Sequence, residues 1–196
     1  MKLLLLAAAL ASSQETASFL NIGVGARALG MGGAYTALAD DVNTAGWNPA
    51  GLAALSRREV GVAQPTRFGT LGAAGSYLSH GTLEGRDAQG RPTGGFSAAD
   101  SVVALSYARG VSAAMLGGSL KFAQSRIAFA SGEAVAADLG ARLALASFGP
   151  GRPLLGAAVQ NLGSGMRLGD QTAPLPLTLS LGAGSVSYTH LTLPTN

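Results

Sequence analysis

From Arg58 to about residue 185 the chain keeps a two-residue period, and this restricts its fold more than any other feature. In 134–146, Val135, Ala137, Leu139, Ala141, Leu143 and Leu145 fall on one side, and Asp138, Gly140 and Arg142 on the other. In 115–126, Leu116, Gly118, Leu120 and Phe122 oppose Ser119, Lys121 and Ala123. Val103, Leu105 and Tyr107 oppose Ala104, Ser106 and Ala108, and Leu175, Leu177, Leu179, Leu181 and Ala183 alternate with Pro176, Thr178, Ser180 and Gly182. Segments 70–79 and 152–161 repeat the pattern more weakly, and Glu59 to Gln64 adds a short one. Successive side chains of a strand point to opposite faces, so this alternation predicts about seven strands, each with one apolar and one polar face. Several approach the ~10 residues that cross a bilayer at a tilt.

The connections carry a second pattern. Those at 65–69, 110–112 and 148–151 are short, whereas 80–100, 127–133 and 162–174 are longer and rich in Gly, Asp, Arg, Ser or Pro. Short and long alternate, as in barrels whose short turns face the periplasm and whose long loops face outside. Phe68, Phe96, Phe129 and Phe148 fall at or just beyond the expected strand ends, where interface aromatics would sit. With 6% aromatic residues, such girdles would be thin.

Composition narrows the classes. At 196 residues the chain suits one domain. Its 29 glycines follow no triplet period and must serve turns, bulges or close packing. Charged residues make up 12%, yet no apolar run approaches the ~20 residues of a spanning helix. Disorder, coiled coil and a helical membrane protein are therefore disfavoured, which leaves a Gly-rich soluble β protein or a membrane β-barrel. The net charge of +3 is not gathered into a basic stripe, so no nucleic acid partner is expected. The absence of cysteine excludes disulfides, thiolate metal sites and thiol catalysis.

The ends differ from the body. Lys2, the apolar stretch Leu3 to Leu10 and the small-x-small site Ala9-Leu10-Ala11 predict a signal peptide over 1–11, and hence export. Ser187-Tyr188-Thr189-His190-Leu191-Thr192-Leu193-Pro194-Thr195-Asn196 departs abruptly from the Gly/Ala-rich body and resembles translated sequencing-adapter DNA. Residues 186–196 are therefore expected to be a non-native tail, with the authentic protein running on. Between signal and strands, residues 12–56 are broken by glycines. Ala34 to Ala39 is expected to form a short helix, and Asn48-Pro49 to start another, because Asn caps free amides and Pro suits the first helical position.

No catalytic, cofactor or metal site is assigned. Gly23-Val24-Gly25-Ala26-Arg27-Ala28 fits a dinucleotide turn only superficially, without the preceding strand, and with Gly30, Gly32 and Gly33 interrupting the helix it needs. Asp40 and Asp41, with Asn43 nearby, lack the spaced acidic series of a calcium loop. His80 and the carboxylates Glu84, Asp87, Asp100, Glu133 and Asp170 read as solvated loop residues. Lys121, Asp138 and Arg142 lie inside strands on the polar face. In a barrel they would face the lumen, and in a soluble sheet they would face water.

The run Phe19-Leu20-x-Ile22-Gly23-Val24-Gly25-Ala26-Arg27-Ala28-Leu29-Gly30-Met31-Gly32-Gly33-Ala34, followed by Ala37-Leu38-Ala39-Asp40-Asp41 and Trp47-Asn48-Pro49-Ala50-Gly51-Leu52, resembles the N-terminal signature of PorV/PorQ-family outer-membrane proteins of the FadL-like group. Phe96-Ser97-Ala98-x-Asp100, Leu105-Ser106-Tyr107-Ala108, Asp138-Leu139-Gly140, Gly156 to Gly163 and Pro174-Leu175-Pro176-Leu177 extend the likeness over about residues 19–185. The resemblance implies an all-β, antiparallel up-and-down transmembrane barrel of about fourteen strands, within the known range. About half of it is present here, in 57–185. Residues 12–56 would form a lumenal plug carrying Trp47, Asn48, Pro49, Ala50 and Gly51. Two features depart from the family. Arg58-Glu59-Val60 and Ala63-Gln64-Pro65 are fused where relatives have a further strand and loop, and the last residues are not an aromatic-terminated strand.

The implied role is non-enzymatic: an outer-membrane accessory of type IX protein secretion in a Gram-negative bacterium, with secretion-system proteins as partners besides outer-membrane lipid. Loops 80–100 and 162–174 would contact those proteins. The alternative is a FadL-like passive channel for a hydrophobic small molecule, with an apolar pocket between plug and wall involving Leu38, Trp47 and Leu52. A soluble secreted β-domain is the third reading.

Overall fold

The computed structural model describes residues 16–54, 63–147, 151–168 and 171–187. The signal peptide at 1–11, most of the Glu59–Gln64 strand, Phe148, Asp170 and the tail from 188 lie outside the described residues. The fold is all-β. One antiparallel sheet of seven strands has β1 (Ala63–Thr66), β2 (Gly69–Arg86), β3 (Pro92–Val111), β4 (Ala114–Ile127), β5 (Ala130–Ala144), β6 (Gly151–Gly163) and β9 (Thr178–Ser187) in simple up-and-down order. A separate hairpin, β7 (Met166–Leu168) with β8 (Gln171–Ala173), lies between β6 and β9. This is the layout of part of a barrel.

The N-terminal segment lies across one face of this sheet. It holds the 3₁₀ turns Ser18–Asn21, Val42–Gly46 and Pro49–Ala54 and one short helix, α1 (Ala26–Gly30). The helix expected over Ala34–Ala39 is a run of turns instead, and α1 precedes it. Gly32 at φ +63° and Gly33 at φ +78° end α1 in the left-handed region, and the chain then turns too tightly for a second helix. The expected start at Asn48-Pro49 is present, with Asn48 Oδ1 accepting from Ala50 N at 3.1 Å.

Two expected loops are strand. Residues 80–100 continue β2 and β3 into a long hairpin, closed by Asp87, whose Oδ1 accepts from Gln89 N at 2.9 Å and Arg91 N at 2.8 Å. Residues 127–133 shrink to a two-residue turn at Ala128-Phe129 between paired Ile127 and Ala130. The pairing of β3 with β4 stops at Ala98↔Ile127, so the hairpin stands alone beyond it. Nearly every residue of 79–86 and 92–97 is exposed. A ribbon with water on both faces needs no alternation, which is why its composition reads as loop. The long connection at 162–174 holds β7 and β8 and folds back, with Met166 and Leu175 buried against Ala123, Ala134 and Ala136.

The sheet has its polarity inverted relative to a sheet on an ordinary core. The uncovered face carries Leu105 at 63% exposure, Leu120 at 58%, Leu139 at 58% and Leu181 at 49%, with Val103, Tyr107, Leu116, Phe122, Val135 and Leu143 around them. The covered face buries Ser106, Ser119, Lys121, Asp138, Arg142 and Asn161, with alanines as its main apolar residues. On β5 the apolar band runs from Leu143 to Val135, about 26 Å at ~3.3 Å per residue. Beyond it Gln124 Nε2 donates to Glu133 Oε1 at 3.0 Å across the exposed register pair, and the surface turns polar. Of the aromatics, Phe68 and Phe129 lie exposed in the turns as expected, whereas Phe96 is inside β3, paired with Leu83.

Candidate functional site

The covered face owes its close packing to glycine. Gly117 and Gly140 are neighbours across strands β4 and β5, and Gly156 and Gly182 across β6 and β9. A methyl group on Gly140 would lie 2.0 Å from Asn48 Oδ1, one on Gly117 2.4 Å from the Pro49 carbonyl carbon, and one on Gly156 2.5 Å from Thr36 O. The Trp47–Gly51 stretch therefore sits with its backbone directly on the sheet. Asn48, fully buried, donates through Nδ2 to Thr36 O at 2.8 Å and to Ala141 O at 3.1 Å, pinning the segment to β5.

Beside this contact lies a buried polar network. Lys121 on β4 places Nζ 2.7 Å from Asp138 Oδ2 on β5 and donates to Asn161 Oδ1 on β6 at 3.0 Å. The β5–β6 ladder shifts register between Ala137 and Leu139, and there Asn161 takes φ +62°. Its amide leaves the ladder and donates to Asp138 Oδ1 at 2.9 Å. Its Nδ2 donates to Pro176 O at 3.0 Å and to Asn21 Oδ1 at 3.2 Å in the N-terminal segment. Arg142, four residues along β5 from Asp138, donates from Nη1 to Ala39 O at 3.1 Å. Lys121, Asp138 and Arg142 thus all lie on the covered face. Asn161 joins them, and in the sequence it is marked only as a polar residue beside Gln160 near the end of its strand.

The N-terminal segment has its own cluster. Arg27 is ion-paired with Asp40 and stacks over the Tyr35 ring at 5.4 Å, and Tyr35 meets Trp47 edge-on at 6.3 Å. The hydrogen bond to Asp40 raises the Arg27 pKa further above its usual value. Burial, aided by a hydrogen bond with Asp41, pushes the Tyr35 phenol up to about 12.

A cavity of about 230 Å³ lies between the segment and the sheet, walled by Leu20, Ile22 and Val24 on one side and Ala74, Val102 and Lys121 on the other. Leu38, Trp47 and Leu52 do not line it. Leu38 packs on Ala37, Ala144 and Leu154. Leu52 is fully buried with Ala45, Ala63 and Ala108. Trp47 donates Nε1 to Val24 O at 2.8 Å. All three are used in seating the N-terminal segment, and residues 19–24 form the cavity wall in their place. The sequence could not separate them, because an apolar residue type does not say which neighbour it meets.

His80, read from sequence as a solvated loop residue, lies in β2 and meets Asp100 Oδ2 through Nε2 at 2.8 Å across the β2–β3 hairpin. Among the described residues no group of three or more His, Cys, Asp or Glu is placed to hold a metal ion. No family model matches the chain, and no curated protein matches it.

Proposed function

We propose that this chain forms wall and plug of an outer-membrane β-barrel of the PorV/PorQ type, a non-enzymatic accessory of type IX protein secretion exported by its N-terminal signal. The observation that supports this reading is the inverted polarity of the sheet. Leucines in water are unfavourable by ~25 cal/mol per Å² of apolar surface, and lipid removes that cost. Charges are penalised on the lipid side of a barrel and tolerated in its lumen, and Lys121, Asp138 and Arg142 lie on the side away from the leucines. The band on β5 from Val135 to Leu143 has the ~9–11 residues with which a tilted strand crosses the hydrocarbon core. On this reading residues 16–54 are the plug, and the β2–β3 hairpin projects beyond the membrane towards secretion partners.

The cavity favours a second reading, a FadL-like channel for hydrophobic small molecules. Fractionation of the expressing bacterium tests the membrane assignment. The mature chain is expected to sediment with outer membranes and to float with liposomes; recovery in the soluble periplasm without detergent overturns it in favour of a soluble β-domain. Gene deletion separates the two roles. Loss of surface-displayed cargo with unchanged uptake of hydrophobic solutes supports secretion, and the reverse supports transport.

A further inference from the structure

We propose that the cavity between the N-terminal segment and the β2–β4 wall binds an uncharged amphipath: a short aliphatic chain ending in a hydrogen-bond acceptor, its oxygen on the Lys121 ammonium. The ligand class deepens the channel reading above, and its physiological role rests on that reading. An ammonium has three N–H donors. On Lys121 one of them donates to Asn161 Oδ1 at 3.0 Å, and the ammonium is ion-paired with Asp138 Oδ2 at 2.7 Å without a directed hydrogen bond to it. At least one donor is left without an acceptor among the described residues, although the side chain is only 7% exposed and lines the cavity. A buried donor of this kind binds an acceptor strongly.

Charge decides which acceptor. Asp138 already neutralises Lys121, so the site has no excess positive charge to hold an anion. A carboxylate bound there would sit within a few ångströms of buried Asp138, and two such carboxylates oppose each other's ionisation. A cationic head would meet Lys121 itself. A hydroxyl or carbonyl completes the ammonium's bonds at no charge cost. Asn43 and Ser76 add two polar side chains to walls that are otherwise apolar, and Ala104 lies between Ala74 and Lys121 in one register row across β2, β3 and β4. At about 230 Å³ the cavity lies below the ~300 Å³ of the smallest usual small-molecule pockets, which limits the occupant to a short chain.

The test titrates the full chain in lipid nanodiscs with octan-1-ol, octanoate and octyltrimethylammonium by ligand-observed NMR, subtracting empty discs. Octan-1-ol is expected to bind saturably, at least tenfold more tightly than either charged analogue. Ala74→Phe, at a half-buried position on the cavity wall, is expected to weaken it at least tenfold. Lys121→Met combined with Asp138→Asn removes donor and counter-charge together, and is expected to weaken octan-1-ol about tenfold while leaving hexane binding unchanged. Octanoate binding as tight as octan-1-ol, octan-1-ol binding indifferent to Ala74→Phe, or no loss in the double variant each overturns the proposal. The membrane reading is scored separately, by whether the chain enters the discs at all. Should it stay soluble, the same titrations on the soluble chain decide the ligand question.

Discussion

Asp138 accepts the backbone amide of Asn161 at 2.9 Å, so a carboxylate on β5 takes the hydrogen bond that the β5–β6 ladder gives up at its register shift. Its other oxygen faces Lys121 at 2.7 Å. One side chain thus satisfies a kinked strand and an otherwise uncompensated buried cation, and the kink in turn carries Asn161 to the N-terminal segment. Bulges of this kind redirect a side chain at the cost of local pairing.

Breaking this arrangement from one side is expected to be severe. Lys121→Met leaves Asp138 buried without its cation and should cost about 3–5 kcal/mol. Lys121→Met with Asp138→Asn should recover much of that loss, because no unpaired charge remains. Denaturant unfolding of the two single variants and the double variant, analysed as a cycle, measures the coupling; purely additive losses would show that the pair is not energetically linked.

Glycine at 140 is expected to be required for docking of the N-terminal segment. Gly140→Ala drives a methyl into Asn48 Oδ1 and should destabilise by about 1–3 kcal/mol through overpacking. Gly30→Ala is the contrast. It lies in α1 with nothing within 4 Å of the added methyl, and should gain up to about 1 kcal/mol from helix propensity. Fluorescence of Trp47, the chain's single tryptophan, reports the docked segment in both cases.

Alkali is expected to loosen the same segment. The Tyr35 pKa is raised to about 12 in the folded state, against ~10 for an exposed phenol. Folding therefore favours the neutral ring, and this contribution is whole below pH ~10 and is lost as pH rises towards about 12. Its size is on the order of 2 kcal/mol. Trp47 fluorescence should change over that window, and Tyr35→Phe should abolish the change. An identical alkaline transition in Tyr35→Phe would assign it to another group.

The uncovered leucines distinguish lipid from water. Leu120→Lys and Leu139→Arg, each at 58% exposure in the wild type, should cost about 2–4 kcal/mol in a membrane barrel and reduce recovery in the outer-membrane fraction. In a soluble sheet the same changes should be neutral and raise solubility. Arg126→Leu, beyond the polar edge of the band, should leave membrane recovery unchanged.

The sequence alone determined which residues share a face. Because side chains alternate with a period of two, Leu139 and Leu143 had to lie opposite Asp138 and Arg142 wherever the strand was placed, and the all-β, up-and-down architecture followed from repeating that pattern. Asn48-Pro49 likewise announced its turn through local capping chemistry. Contacts between distant segments were not legible. Alternation fades where both faces of a ribbon are wet, so the β2–β3 hairpin read as loop. The sequence separation of 23 residues between Asp138 and Asn161, and of 92 between Asn48 and Gly140, carries no local signal. Only the tertiary structure decided that Leu38, Trp47 and Leu52 would anchor the segment while Leu20, Ile22 and Val24 bordered the cavity. An apolar side chain records that it must leave water, whereas which neighbour it meets depends on how the segment lies across the sheet.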